Sequence, residues 1–411
     1  MGTECPEMMK FLRLLCKAQP NPRLTGRHLA PTRRLQRSAC PKLPVTVGLI
    51  TVAQITVAQI TVAICVALLA AGKPAVAQPA SKIDGRGAVH GLCAKATDRP
   101  GWAGICASYT VKNGRFAELL NTRTSGLPEA LLSDADILII GEVHDNPSHH
   151  TLQAELLAAY VRSRQKRTRG LPELVMEHIQ AGQQSALDAA LKARRIPGHA
   201  GIQEVAARLA TVLSWKNSGW PDWAMFQPIM ETALQLGLPI RAGNASKGDV
   251  RQAARQGLSA IPSNLRTAYH LNEPLPGPLA DALLGELEAS HCNLMPRRMF
   301  TTMAVAQRLR DATLASNTVA AVRRSAGAVL LTGNGHARTD RGVPWYITRT
   351  APELRVLSVA LIEVVPGEDD ATKYLPRGPG GRPAADIVVI TKRAERADPC
   401  VGMREKFTRK R

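Results

Sequence analysis

The stretch Ile137-Leu138-Ile139-Ile140-Gly141-Glu142-Val143-His144-Asp145-Asn146-Pro147 contains an apolar run, a polar exit and a helix start in direct succession. Four apolar residues closed by a glycine read as a short buried strand. Asn146 can accept from the first free N–H groups of a helix, and Pro147 suits the first helical position, where its missing N–H is not needed. Leu152, Leu156, Leu157 and Tyr160 then recur at helical spacing. A second apolar run, Leu174–Met176, follows that helix, so the unit is strand, helix, strand. A crossover of this length joins parallel strands. Working outward, Pro239–Ile240, Val329–Leu331, Leu354–Val365 and Ile387–Ile390 repeat the strand pattern between longer amphipathic segments. The sequence therefore predicts an α/β fold, a mostly parallel central sheet flanked by helices. Residues 182–210 and 247–321 read as mostly helical, with no strand inside either, and predict a smaller helical lobe that contains a loop at Leu271–Pro278; Gly378–Pro383 reads as a surface loop between two late strands.

Four of the strands end in polar residues. The exits are Gly141-Glu142-Val143-His144-Asp145-Asn146, Met176-Glu177-His178, Arg241-Ala242-Gly243-Asn244 and Gly333-Asn334-Gly335-His336-Ala337-Arg338. In an open parallel sheet, ligands bind outside the carboxyl ends of the strands. The expected crevice draws on Glu142, His144, Asp145, Asn146, Glu177, Asn244, Asn334, His336 and Arg338, with Gln307, Arg310 and Asp311 reaching it from a helix. Glu142 and His144 are two apart, so extended backbone points both to one side. Two carboxylates and two imidazoles, Glu142, His144, Glu177 and His336, are a donor set for a divalent metal, and a carboxylate can equally orient an imidazole as a base. The alternative is structural, with Glu142 and His144 capping the next helix and His336 bonding a loop.

Three further groups carry readings of their own. Met299, Met303, Gln307, Arg310 and Asp311 share one side of a helix, which suits a core stripe with Arg310 and Asp311 as an ion pair, or a surface for a porphyrin. Trp215, Trp220 and Trp223 are expected to pack. His149, His150 and His178 can support the crevice from behind or lie exposed in a first turn.

The chain carries 53 Lys and Arg against 33 Asp and Glu, a net charge of +20. Residues 1–77 hold ten basic and two acidic side chains, which leaves 43 against 31 in residues 78–411. That balance, with only 4% aromatic residues, argues against a base-stacking or groove-binding nucleic-acid surface. Residues 1–44 form a basic leader, expected to be disordered and longer than an ordinary export n-region, so translation starting downstream is one explanation. Residues 45–77 are apolar through repeats of Ile-Thr-Val-Ala and end in Ala75-Val76-Ala77, which reads as a signal peptide cleaved before Gln78. An uncleaved membrane anchor is the alternative. The remaining residues, 78–411, form the α/β domain. Cys93, Cys106, Cys292 and Cys400 fall within it. In an oxidising compartment they predict two disulfides, and proximity favours Cys93 with Cys106 and Cys292 with Cys400; four buried thiols are the alternative.

The string Ile139–His150 resembles the signature of the ChaN-like haem-binding uptake proteins, a family grouped with the Tiki metal-dependent proteases and the erythromycin esterases. The resemblance continues, in order, through Val175–Glu177, Trp223–Pro228, Ser290–Pro296, Gln307–Asp311, Gly333–Pro344 and Asp398–Cys400. It implies a parallel-sheet domain exported to the periplasm or cell-envelope surface that binds haem or iron for uptake, with an outer-membrane haem receptor and a second copy of the chain as partners. The wider superfamily implies a metal-dependent hydrolase, its two G-x-x-H motifs matched by Gly141–His144 and Gly333–His336. The lipobox of lipoprotein members is missing. Haem ligation in the family is attributed to a tyrosine, and Tyr109, Tyr160, Tyr269, Tyr346 and Tyr374 all lie outside the matching motifs.

Overall fold

The computed structural model describes residues 105–408, apart from 113–114, 119–126, 128, 168–169, 194–200, 366 and 369. The basic leader, the apolar segment 45–77 and the pairing of Cys93 with Cys106 lie outside the described residues and side chains. Among the described residues no helix is long and apolar enough to cross a membrane.

Eight strands form one sheet: β1 (Ile105–Lys112), β2 (Arg115–Glu118), β3 (Ile137–Glu142), β4 (Glu173–Gln180), β5 (Ile240–Asn244), β6 (Ala328–Gly333), β7 (Val356–Glu363) and β8 (Ile387–Thr391). Their order is β2-β1-β8-β7-β3-β6-β4-β5. Strands β3 to β8 run parallel, and β1 and β2 add an antiparallel edge. After β3 the chain moves outward to β4 and β5, returns to insert β6 between β3 and β4, and then builds β7 and β8 on the other side. The direction of winding thus reverses around β3 and β6, where an open α/β sheet leaves a crevice at its carboxyl edge.

Side-chain alternation along each strand divides the core in two. Leu138 and Ile140 of β3, with Leu174, Met176, Val329 and Leu331, pack under α2 (Pro147–Gln165), α3 (Gln184–Ala193), α4 (Ile202–Val212) and α5 (Trp223–Gln235), while α1 (Glu129–Asp134) places Leu132 in the same cluster. Ile137, Ile139, Val175, Ala328 and Leu330 face the opposite way, toward α9 (Phe300–Arg324). Helices α6 (Lys247–Gln256) and α8 (Gly277–Ser290) pack on α9, and α7 (Ser263–Ala268) adds Leu265 to that side. The two helical segments expected from the sequence therefore lie on opposite faces of the sheet. The short α10 (Asn334–Ala337) and α11 (Val343–Thr350) follow β6, and α12 (Pro399–Thr408) ends the described chain. The central strands are entirely buried, which is why they read as unbroken apolar runs.

Candidate functional site

Helix α2 starts as the sequence requires. Asn146 accepts from the N–H groups of Ser148 and His149, and Pro147 occupies the first turn. The Asn146 amide also donates to Glu363 and to the backbone oxygen of Lys392, so this residue ties the β3, β7 and β8 exits together and is not free for a ligand. Asp145 points the same way, 2.7 Å from Arg396.

Two clusters of buried charge occupy the crevice. In the first, Glu142 is 2% exposed and takes hydrogen bonds on Oε1 from His144 Nδ1 and His178 Nε2, both at 2.8 Å. His150 Nδ1 lies 3.1 Å from Glu142 Oε2, and its Nε2 donates to the backbone oxygen of His144. Burial alone would raise the Glu142 pKa, but the charge of His178 and the hydrogen bonds from the three imidazoles hold it well below the usual carboxylate range. Burial would likewise lower His144 and His150, and the Glu142 carboxylate raises both. His149 is different: it accepts from Val143 N and donates to Thr391, and burial pushes its pKa down to about 4, so it is neutral.

In the second cluster Glu177 Oε2 accepts from Thr332 Oγ1 and from the N–H of Gly333. Its other oxygen lies 3.4 Å from His336 Nε2. The opposite ring nitrogen, Nδ1, is 2.6 Å from Asp311, and the Gln307 amide lies beside the same ring. Burial alone would lower the His336 pKa, yet Glu177 and Asp311 raise it to about 10. Burial pushes Asp311 up to about 6. The expected ion pair of Arg310 with Asp311 does not form: Asp311 faces His336, and Arg310 approaches Glu177 at 3.9 Å.

The four residues expected to share a metal thus divide between adjoining clusters, Glu142 with His144 and Glu177 with His336. Among the described residues, the metal-type donor group that the geometry does assemble is Glu142, His144 and His178, whose ligand atoms lie within 4.8 Å of one another. The sequence leaves His178 as either a support or an exposed histidine, and the structure buries it at 2% exposure. It follows Glu177 directly in β4, and alternation sends the two to different clusters, one to Glu142 and the other to His336. That alternation was the signal in the sequence that separates them. Asn334 donates to Leu361 O, while its buried side-chain oxygen has no hydrogen-bond partner in the protein, and Arg338 pairs with Asp340 and Arg377 O.

Trp215 and Trp223 pack on each other, as expected, whereas Trp220 stands half-buried over the imidazoles of His144 and His178 and donates to His178 O. It borders a cavity of about 170 Å³ that Glu177, Asn244 and Arg310 also line. Met299 is 49% exposed, so the methionine stripe emerges from the core at its start. Tyr160, Tyr269, Tyr346 and Tyr374 are buried in packing.

A doubly wound α/β domain with a Glu and His crevice at its carboxyl edge is the class of protein that this fold and site define. The chain belongs to the haem-binding uptake, Tiki superfamily, ChaN family, whose model matches residues 130–347. Among solved structures it is similar to ChaN of Campylobacter jejuni, described with cofacial haem binding, at 18% identity and a TM-score of 0.50, covering 70% of this chain and 98% of that one. Two weaker likenesses are the type III effector HopBA1, at 14% identity and a TM-score of 0.34 over 65% of this chain and 92% of that one, and a variant of the erythromycin esterase EreC in its open conformation, at 13% and 0.31 over 66% and 79%. At such identities the first likeness establishes the fold. A search of curated proteins found no match.

Proposed function

We propose that this protein binds haem at the carboxyl edge of its sheet and serves haem or iron uptake. Membership of the haem-binding family, over residues 130–347, carries the reading. The residues fit a haem iron at one point in particular. His144 has a side chain 36% exposed and fixes Nδ1 on Glu142, which leaves Nε2 as the donor atom. A carboxylate behind an imidazole is the arrangement that orients a metal-binding histidine. Haem bound there would supply the iron, while Glu142, His150 and His178 would hold the ring that meets it. Titrating the full chain with haemin should give a saturable Soret shift that weakens at least tenfold in His144→Ala with the far-ultraviolet circular dichroism unchanged. Absence of any saturable shift in the unaltered protein rejects the reading.

The cluster Glu142, His144 and His178 also supports a second reading, a metal-dependent hydrolase in which a divalent ion lowers the pKa of water and a neighbouring carboxylate takes the proton. Stoichiometric divalent metal in the purified protein, without haem affinity, would favour it. Export through residues 45–77 belongs to the first reading, and N-terminal sequencing of secreted protein should find Gln78 first; recovery of peptides upstream of Ala70 would point to a retained anchor instead.

A further inference from the structure

We propose that the cavity between Trp220, Asn244, Lys247 and Arg310 is a carboxylate pocket, which seats the ionised acid group of a ligand whose planar apolar body lies outside it against Trp220. The inference rests on the haem reading for one of its two sources of such a ligand, a porphyrin propionate, and stands apart from it for the other, a free aryl acid.

The size of the cavity is the first observation. At about 170 Å³ it admits an acid group with a short stem and excludes a whole porphyrin. Its charge is the second: Glu177 also lines the cavity, but its carboxylate is taken up by His336, Thr332 and Gly333, which leaves the two cations Arg310 and Lys247 facing the space. Arg310, with a side chain 31% exposed, has only the 3.9 Å approach to Glu177 as a partner among the described residues. Most of the planar donor fork of Arg310 is therefore open to a second acceptor, and bidentate capture of a carboxylate is what that fork does best. Lys247, exposed and also lining the cavity, adds a second cation, its ammonium donating to the backbone oxygens of Asn217 and Ser218. The third observation is Asn244. It is 4% exposed, lines the cavity, and its side-chain oxygen has no hydrogen-bond partner in the protein. A buried amide left unpaired is costly, and a bound polar group relieves it. Trp220 completes the pocket, because the same ring borders the cavity and covers His144, so a ligand anchored by its acid would lie beside the imidazole.

Two titrations of the full chain test this. Haemin and its iron dimethyl ester, which lacks ionised carboxylates, are compared on the unaltered protein and on Arg310→Gln and Lys247→Glu; the second variant alters an exposed position and guards against a folding defect in the first. Haemin should weaken about tenfold in each variant, as expected for one lost charge-assisted contact, while the ester is indifferent to both. In parallel, 2-naphthylacetate and its amide are titrated by calorimetry, and the acid alone should bind. If haemin and ester respond alike to both variants and naphthylacetate does not bind, the pocket is refuted. If no porphyrin binds at all but naphthylacetate does and loses affinity in Arg310→Gln, the pocket stands, the ligand is a free acid, and only the haem reading fails.

Discussion

His336 shows how one buried imidazole can carry a measurable part of the stability. It is protonated because Glu177 and Asp311 grip both ring nitrogens, and with its pKa raised from 6.5 to about 10 it binds a proton in the folded state that the unfolded chain has already released. The sign follows directly: the stabilisation is complete below about pH 6.5 and disappears as pH rises toward 10, because over that range the native state holds more protons than the unfolded one. Asp311, raised from 3.8 to about 6, acts in the same direction lower on the scale. Urea unfolding of the native protein and of His336→Gln should therefore differ most near pH 6, and the difference should shrink by on the order of 2 kcal/mol by pH 10. A difference independent of pH would mean that the ring is held by packing alone. The sequence named His336, Glu177 and Asp311 as neighbours of one crevice, because each sits at a strand exit or on a helix stripe aimed at it. It could not tell which carboxylate takes which histidine. Alternation in β4 does separate Glu177 from His178, but which histidine each carboxylate then meets depends on how α9 is rotated and where the β6 exit places His336, and those leave no trace in spacing.

At the scale of elements, the two G-x-x-H strings are the parts that must fit against each other. The glycines make that possible. A methyl group at Gly141 would sit 2.5 Å from Asn334 Oδ1 and 2.8 Å from Ala337 Cβ, in α10; one at Gly333 would sit 2.9 Å from His144 Nε2. Each motif therefore begins with a residue that lets the other motif's polar side chain approach the backbone. Gly333→Ala should cost about 1–3 kcal/mol by overpacking and should push the His144 ring from its seat on Glu142. The check is urea unfolding together with the imidazole proton resonances of His144, whose hydrogen-bonded signal should shift or vanish. Unchanged stability and an unmoved resonance would show that β6 and its exit yield freely. The central strands β3, β6 and β8 were legible because each is buried along its whole length and so reads as a mainly apolar run. The antiparallel edge of β1 and β2 was not, since Ile105–Glu118 mixes polar and apolar residues in a way that a loop would share.

Over the whole molecule, the segment after β8 runs along part of the carboxyl edge and ties to its strand exits. After β8, residues 392–399 leave across the strand exits, and Arg396 pairs there with Glu363 and with Asp145 beside the first histidine cluster. Cys400 then bonds to Cys292, in the turn between α8 and α9. The strap is thus fixed at both ends, by a guanidinium bridging two strand exits and by a covalent bond to the helical side. A cross-link spanning 108 residues removes a large part of the unfolded chain's freedom, roughly 4–5 kcal/mol in the chain-entropy account. Ion pairs as exposed as that of Asp145 contribute far less, about 0–1 kcal/mol. The disulfide should therefore dominate. Reduction, or the double change of Cys292 and Cys400 to Ala, should lower the urea midpoint markedly and open the bonds after Lys392 and Arg393 to trypsin, whereas Arg396→Gln with the disulfide intact should do neither to the same degree. Recovery of both thiols alkylated without reduction, from protein taken out of an oxidising compartment, would remove the clamp from this account and leave the strap held by Arg396 alone.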